Sequence, residues 1–137
     1  MTTISALNYI HKTGLFGNHE SKNEENLIKV SEIKNMLIVQ IVQYKNSTVS
    51  IENIDIDSLK LKNEPLSVGS NFDTRILWNG PKNWLLVSSK KDLLKNIHEV
   101  FKNTDFAVTD LSHSRAIIGL EGQDVKEVLK KGCPFNF

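Results

Sequence analysis

Cysteine is almost absent: Cys133 is the single one in 137 residues. That excludes an internal disulfide framework and a cysteine-rich zinc site, and a reducing, cytoplasmic compartment is expected. Long apolar runs are missing too. None exceeds Met36–Val39, far short of the about 20 residues that cross a bilayer as a helix. No apolar block of a secretory signal opens the chain, so no membrane partner is expected. A surplus of one charge is likewise lacking, since 17 basic and 16 acidic residues leave a net charge of +1. A nucleic-acid partner, which needs a positive excess, is therefore not expected. Arginine is scarce, with Arg75 and Arg115 the only two. There is no G-x-G-x-x-G and no P-loop, so a nucleotide cradle is not expected. His11, His19, His98 and His113 lack metal-ligand spacing.

What is present is a globular composition, 39% hydrophobic and 24% charged, above the range of disordered chains. Area scaling gives roughly 7,200 Å² folded against roughly 22,500 Å² unfolded, so a core is possible without metal or disulfide staples. Residues 1–26 read as a flexible N-terminal arm, because Thr13–Asn26 is polar and contains glycine. Residues 27–137 read as a single domain.

Leu27–Ile33 alternates as a strand, and Met36–Tyr44 is nearly continuously apolar, as a central strand buried on both faces would be. Asn35 between them suits a tight turn, which predicts a hairpin. Asn46–Leu61 reads as a short helix, with an irregular extended segment as the alternative. Pro65–Asp73 is a loop by composition. Thr74–Trp78 and Asn83–Ser88 are short strands around Asn79-Gly80-Pro81-Lys82, a strong turn signal. Ser89 with Asp92 forms a capping box for a helix whose stripe is Leu93, Leu94, Ile97 and Phe101. Asp105–Leu111 and Arg115–Glu121 are two more strands joined by Ser112-His113-Ser114. A last helix opens after Gly122, carries Val125, Val128 and Leu129, and stops at Gly132 in the C′ position, before Pro134. Short links imply antiparallel pairing, and the fold class is α+β: one mostly antiparallel sheet with helices on one face.

The chemistry-bearing residues are few. Asp110, Ser112 and His113 have the composition of a hydrolase set. Ser112 and His113 are adjacent and point apart in extended chain, and no G-x-S-x-G elbow exists, so a polar turn is the simpler reading. Cys133 follows a helix C-terminus, where the dipole disfavours a thiolate although Lys130 and Lys131 oppose that effect. Lys90, Lys91, Lys95 and Lys102 read as a solvated helix face. Arg115 suits an ion pair or contact with an anion. Trp78 and Trp84 flank the turn and suit hairpin packing or an interface. Arginine and tryptophan are the favoured anchors of interfaces, and with only two of each, Arg75, Trp78, Trp84 and Arg115 are the candidates for a partner interface.

Two stretches go further. Ile76-Leu77-Trp78-Asn79-Gly80-Pro81-Lys82-Asn83-Trp84-Leu85-Leu86-Val87 resembles the "LWLGPDEWLLV" segment of the gamma subunit of heterotetrameric sarcosine oxidase. Asp110-Leu111-Ser112-His113-Ser114-Arg115-Ala116, then Leu120-Glu121-Gly122, then Val128 to Phe135, resembles the same family's "DVSDSRA…LSG…VLAKGCPLDL" in order and spacing. That family is related to the folate-binding, ferredoxin-like domain of the glycine-cleavage aminomethyltransferase, and to YgfZ-like proteins. Lys131-Gly132-Cys133 matches only the front of the YgfZ-like "KGCY.GQE" motif.

The resemblance implies a non-catalytic accessory subunit of an enzyme that oxidatively demethylates sarcosine to glycine. The implied partners are the alpha, beta and delta subunits, with alpha the direct contact. FAD, FMN, NAD and tetrahydrofolate are implied for those partners and no cofactor for this chain. A tetrahydrofolate-binding C1-transfer protein, a YgfZ-like protein and an unrelated small-ligand or interaction domain remain the alternatives. Gamma subunits usually continue well past the "GCP" point, so truncation at the C-terminus is a further expectation.

Overall fold

The computed structural model describes residues 4–10, 12–17 and 27–135. In chain order the strands are β1 (Gly14–Phe16), β2 (Ile28–Ile33), β3 (Leu37–Gln43), β4 (Asp55–Ile56), β5 (Leu59–Lys60), β6 (Val68–Ser70), β7 (Thr74–Gly80), β8 (Asn83–Ser88), β9 (Phe106–Asp110) and β10 (Ile117–Glu121). Helix α1 (Leu93–Val100) lies between β8 and β9, and α2 (Val125–Gly132) follows β10. The described strands pair antiparallel throughout, and with two helices the class is α+β. The chain divides into two compact units, Asn35–Arg115 and Met1–Lys34 with Ala116–Phe137.

The first unit is built on a five-stranded sheet of order β6-β7-β8-β3-β9. Strand β3 lies inside it, between β8 and β9, as its apolar sequence predicts. Its alternate residues Leu37, Val39 and Ile41 are buried and stand opposite Ser88, Leu86 and Trp84 of β8. One period-2 set from each strand thereby builds one face. Ile97 and Phe101 close over that face, and the Phe101 and Phe106 rings meet edge to face at 5.0 Å. Each such large side chain removed from water contributes about 1.5–3 kcal/mol.

The predicted β7–β8 hairpin is present. Pro81 and Lys82 form its two-residue loop, with Lys82 at φ 56° and an irregularity between Trp78 and Gly80. The 46–61 segment is not an α-helix. It makes a 3-10 turn at Ile51–Asn53 and then the β4–β5 ribbon. The predicted capping box is also absent. Helix α1 starts at Leu93 with Asp92 as its N-cap and no side-chain cap bond, while the Ser89 hydroxyl donates to Asp73. The apolar stripe of α1 is as predicted, with Ile97 and Phe101 fully buried and Leu93 and Leu94 packed beside them.

The second unit contains a three-stranded sheet of order β1-β2-β10 and helix α2. Gly14–Phe16, inside the segment read as an arm, pairs with β2. The rest of that segment from residue 18 to 26, like residues 1–3, lies outside the described residues. Helix α2 includes Gly132, and its C-cap is Cys133 at φ −130° rather than a left-handed glycine. Gly122 at the β10–α2 junction has φ 144°, and a Cβ there would lie 2.8 Å from the Leu27 carbonyl oxygen. Only glycine suits both the torsion and the approach.

Two expected hairpins are not formed. β2 pairs with β1 and β10, while β3 pairs with β8 and β9. The same holds for β9 and β10, which join different sheets. Asn35, at φ 62°, and the Ser112–Ser114 turn redirect the chain from one sheet to another instead of folding it back. The expected single sheet is accordingly, among the described residues, two sheets and a ribbon, and α1 and α2 belong to different units.

Candidate functional site

The densest polar cluster of the five-stranded unit surrounds Asp57. The β4–β5 ribbon turns through Asp57 and Ser58, both at positive φ (49° and 62°), the pattern of a two-residue type I′ loop. This places the Asp57 carboxylate against three polar side chains from elsewhere in the unit. Its Oδ1 accepts from Lys90 Nζ at 2.8 Å, and its Oδ2 accepts from Thr74 Oγ1 at 2.6 Å and Asn71 Nδ2 at 3.2 Å. Thr74 Oγ1 and Ser88 Oγ are 2.8 Å apart on register partners of β7 and β8, and both residues are fully buried. Lys90 Nζ also reaches Asp73 at 3.4 Å.

The electrostatics follow from these contacts. The Lys90 ammonium, then the Thr74 hydroxyl and the Asn71 amide, hold the Asp57 carboxyl down at about 2. Asp57, with help from Asp73, holds Lys90 above its usual value. Both charges are therefore kept at neutral pH, and Lys90 is held as an ammonium rather than a free amine base. The cluster ties the ribbon, the β6–β7 loop and the strand before α1 to each other.

The Asp110–Ser112–His113 segment is a polar turn. The Ser112 hydroxyl donates to Asp110 Oδ1 at 2.6 Å and accepts from the Ile38 N–H at 2.9 Å, and the Ser112 N–H also donates to Asp110. These bonds from Ser112, first its side chain and then its backbone, lower the Asp110 carboxyl below the ordinary range. The serine oxygen is thus engaged by backbone and carboxylate, and His113 is exposed.

The four interface candidates have different settings. Trp84 is 1% exposed, and its Nε1 donates to the Lys62 carbonyl at 2.8 Å. Trp78, its register partner, is half-buried and donates to Asn63 Oδ1 at 3.3 Å. Together the two indoles hold residues 62–63 against the hairpin. Arg75 is exposed on β7. Arg115 is exposed and donates to the Ser114 carbonyl at 3.2 Å. The structure does not gather the four into one cluster: Arg75 and the tryptophans share the β7–β8 hairpin, and Arg115 lies in the turn after β9. Cys133 is half-buried at the end of α2. His98 is exposed on α1, and His11 and His19 lie outside the described residues.

Among the described residues, no group of three or more His, Cys, Asp or Glu side chains is placed to hold a metal ion. No helix of the described residues is long and apolar enough to cross a membrane. The glycine at a strand-to-helix junction, Gly122, makes its close approach to the chain's own backbone at Leu27, unlike a glycine that opens space for a pyrophosphate.

Sequence reasoning missed the Asp57–Lys90 network. Asp57-Ser58 is not one of the usual type I′ pairs, and Lys90 was expected on a solvated helix face. No local pattern signals the pair, because the two residues are 33 positions apart.

No family model matches the chain, and no curated protein matches it. Among solved structures it resembles a chain of the heterotetrameric sarcosine oxidase from Corynebacterium sp. U-96, solved in complex with pyrrole 2-carboxylate. The likeness has a TM-score of 0.70 with 25% sequence identity. It covers 82% of this chain and 58% of that one. The chain thus shares its fold with a component of a multi-subunit oxidase and spans little more than half of that component's length.

Proposed function

We propose that this chain is a gamma-type accessory subunit of a sarcosine-oxidase-like assembly, contributing surface rather than chemistry to the oxidative demethylation of sarcosine to glycine. The observation that carries the reading is the fold shared with a chain of such an oxidase over 82% of this sequence. The two segments with gamma-type motifs support it, since they supply the β7–β8 hairpin and the β9–β10 connection. Other subunits are the partners, alpha the direct one. FAD, FMN, NAD and tetrahydrofolate are then held by those subunits, and the assembly is cytoplasmic. The internal commitment of Asp57, Lys90, Asp110 and Ser112 to one another and to backbone agrees with a role without a nucleophile or base.

The test is co-expression of the tagged chain with the products of its neighbouring genes. The expected result is co-purification with larger flavin-coloured subunits, while the chain alone is colourless. Purification without partners, or a flavin on the isolated chain, overturns the reading. Tight tetrahydrofolate binding by the isolated chain would favour the C1-transfer alternative instead.

A further inference from the structure

The five-stranded sheet has two faces, and α1 and the core cluster occupy one of them. The strand register defines the other. Val68, Leu77 and Leu85 stand side by side on β6, β7 and β8, and Arg75 stands between Ser70 and Val87. Val42 continues the face on β3. These apolar residues are half-buried or exposed, with Val68 at 56%, and none of them belongs to the core cluster, while Ile38 of β3, opposite Val87 on the same face, is buried at 4%. At strand and residue spacings the face measures roughly 400 Å², about half of what each partner contributes to a standard interface. Arg75 is the only charged residue that the five strands place on it. Among the described residues the Arg75 side chain makes no hydrogen bond or ion pair, whereas those of Lys90 and Lys130 make both.

We infer that this second sheet face is the docking surface for another subunit, and that the subunit meets it with apolar side chains around a carboxylate that accepts from Arg75. The inference rests on the reading of the chain as an accessory subunit. Charge complementarity selects the occupant. The face holds a cation and no acid, so a second copy joined through the same face would bring two arginines together with no carboxylate between them. A different chain that supplies the acid satisfies the guanidinium, which prefers a planar bidentate partner. Leu77 and Val87 on the same face limit the access of water to such a contact and make it a natural anchor.

The experiment compares the tagged wild-type chain with Arg75→Glu, Leu77→Lys and Lys95→Glu, each co-expressed with the neighbouring gene products. Lys95 is exposed on α1, which covers the opposite face. Arg75→Glu and Leu77→Lys are expected to weaken association by about tenfold or more, and Lys95→Glu to leave it unchanged. Melting curves of the free variants identify any that fail to fold. If Leu77→Lys does, Arg75→Glu alone decides, because its side chain is exposed. Wild-type recovery by both face variants overturns the docking inference while leaving the subunit reading intact. Failure of the wild-type chain to associate overturns both. An isolated wild-type dimer that Leu77→Lys converts to monomer assigns the face to a second copy and overturns the proposed partner.

Discussion

Replacing Asp57 with asparagine separates the charge of the polar network from its shape. Asparagine keeps a side-chain oxygen for Thr74 and tolerates the left-handed backbone at φ 49°, but it cannot ion-pair with Lys90. The Asp57 carboxyl titrates at about 2 instead of its ordinary 3.8. A folded-state value below the unfolded one means stability that is fully present above the unfolded value and is lost as pH falls toward 2. A shift of this size corresponds to at most about 2.5 kcal/mol by linkage. The Asp57 side chain is 16% exposed but that of Lys90 is 42% exposed, and solvent screening reduces the expected contribution to about 1 kcal/mol. Urea unfolding of both proteins should therefore show Asp57→Asn less stable by about 1 kcal/mol at pH 7. The gap should hold down to about pH 4.5 and mostly close near pH 2. An equal deficit at pH 7 and pH 2 would refute the ion-pair account and leave only a shape effect.

Two glycine exchanges should move stability in opposite directions. Ser58→Gly relieves a non-glycine residue at φ 62° and should stabilise by about 0.5–1 kcal/mol after the entropic cost of glycine, read as a raised melting temperature; a lowered one contradicts the strained turn. Gly122→Ala meets φ 144° and a Cβ position 2.8 Å from the Leu27 oxygen. It should destabilise by about 2 kcal/mol or more, with circular dichroism as the assay, and a neutral outcome refutes the close approach.

Local chemistry made much of the fold legible, and distant pairing did not. The β7–β8 hairpin follows from Gly80-Pro81 between alternating strands, and the face of α1 from Leu93, Leu94, Ile97 and Phe101. Strand β3 is interior because Met36–Tyr44 has no polar run to expose. The misread elements are those whose partners lie far along the chain. A short link at Asn35 looks like a hairpin, yet a left-handed residue can equally redirect the chain, and only the competition among β1, β8, β9 and β10 for β2 and β3 decides. The β4–β5 ribbon has two-residue strands, too short for periodicity to register. Its place is set by Asp57 contacts with Asn71, Thr74 and Lys90 that no local pattern encodes. For the site, sequence singled out the tryptophans and arginines by residue type and by their place in the two motif segments. It could not distinguish Trp84, whose ring fills the core, from Arg75, which the register turns outward.

The interior position of β3 has a consequence for synthesis. Neither of its partner strands is its chain neighbour: Gln40 bonds to Asn83, 43 residues later, and Ile38 to Ser112, 74 residues later. At ribosomal rates, roughly 2–9 s separate the emergence of β3 from that of β8, and roughly 4–15 s pass before Ser112 follows. Until β8 arrives the Leu37–Gln43 segment is an unpaired, uncharged, proline-free strand, the composition that self-associates most readily. The vulnerable period of this protein is therefore its birth on the ribosome rather than its folded lifetime. Yield in a cell is set by how well that nascent strand is sheltered until residues 83–112 arrive.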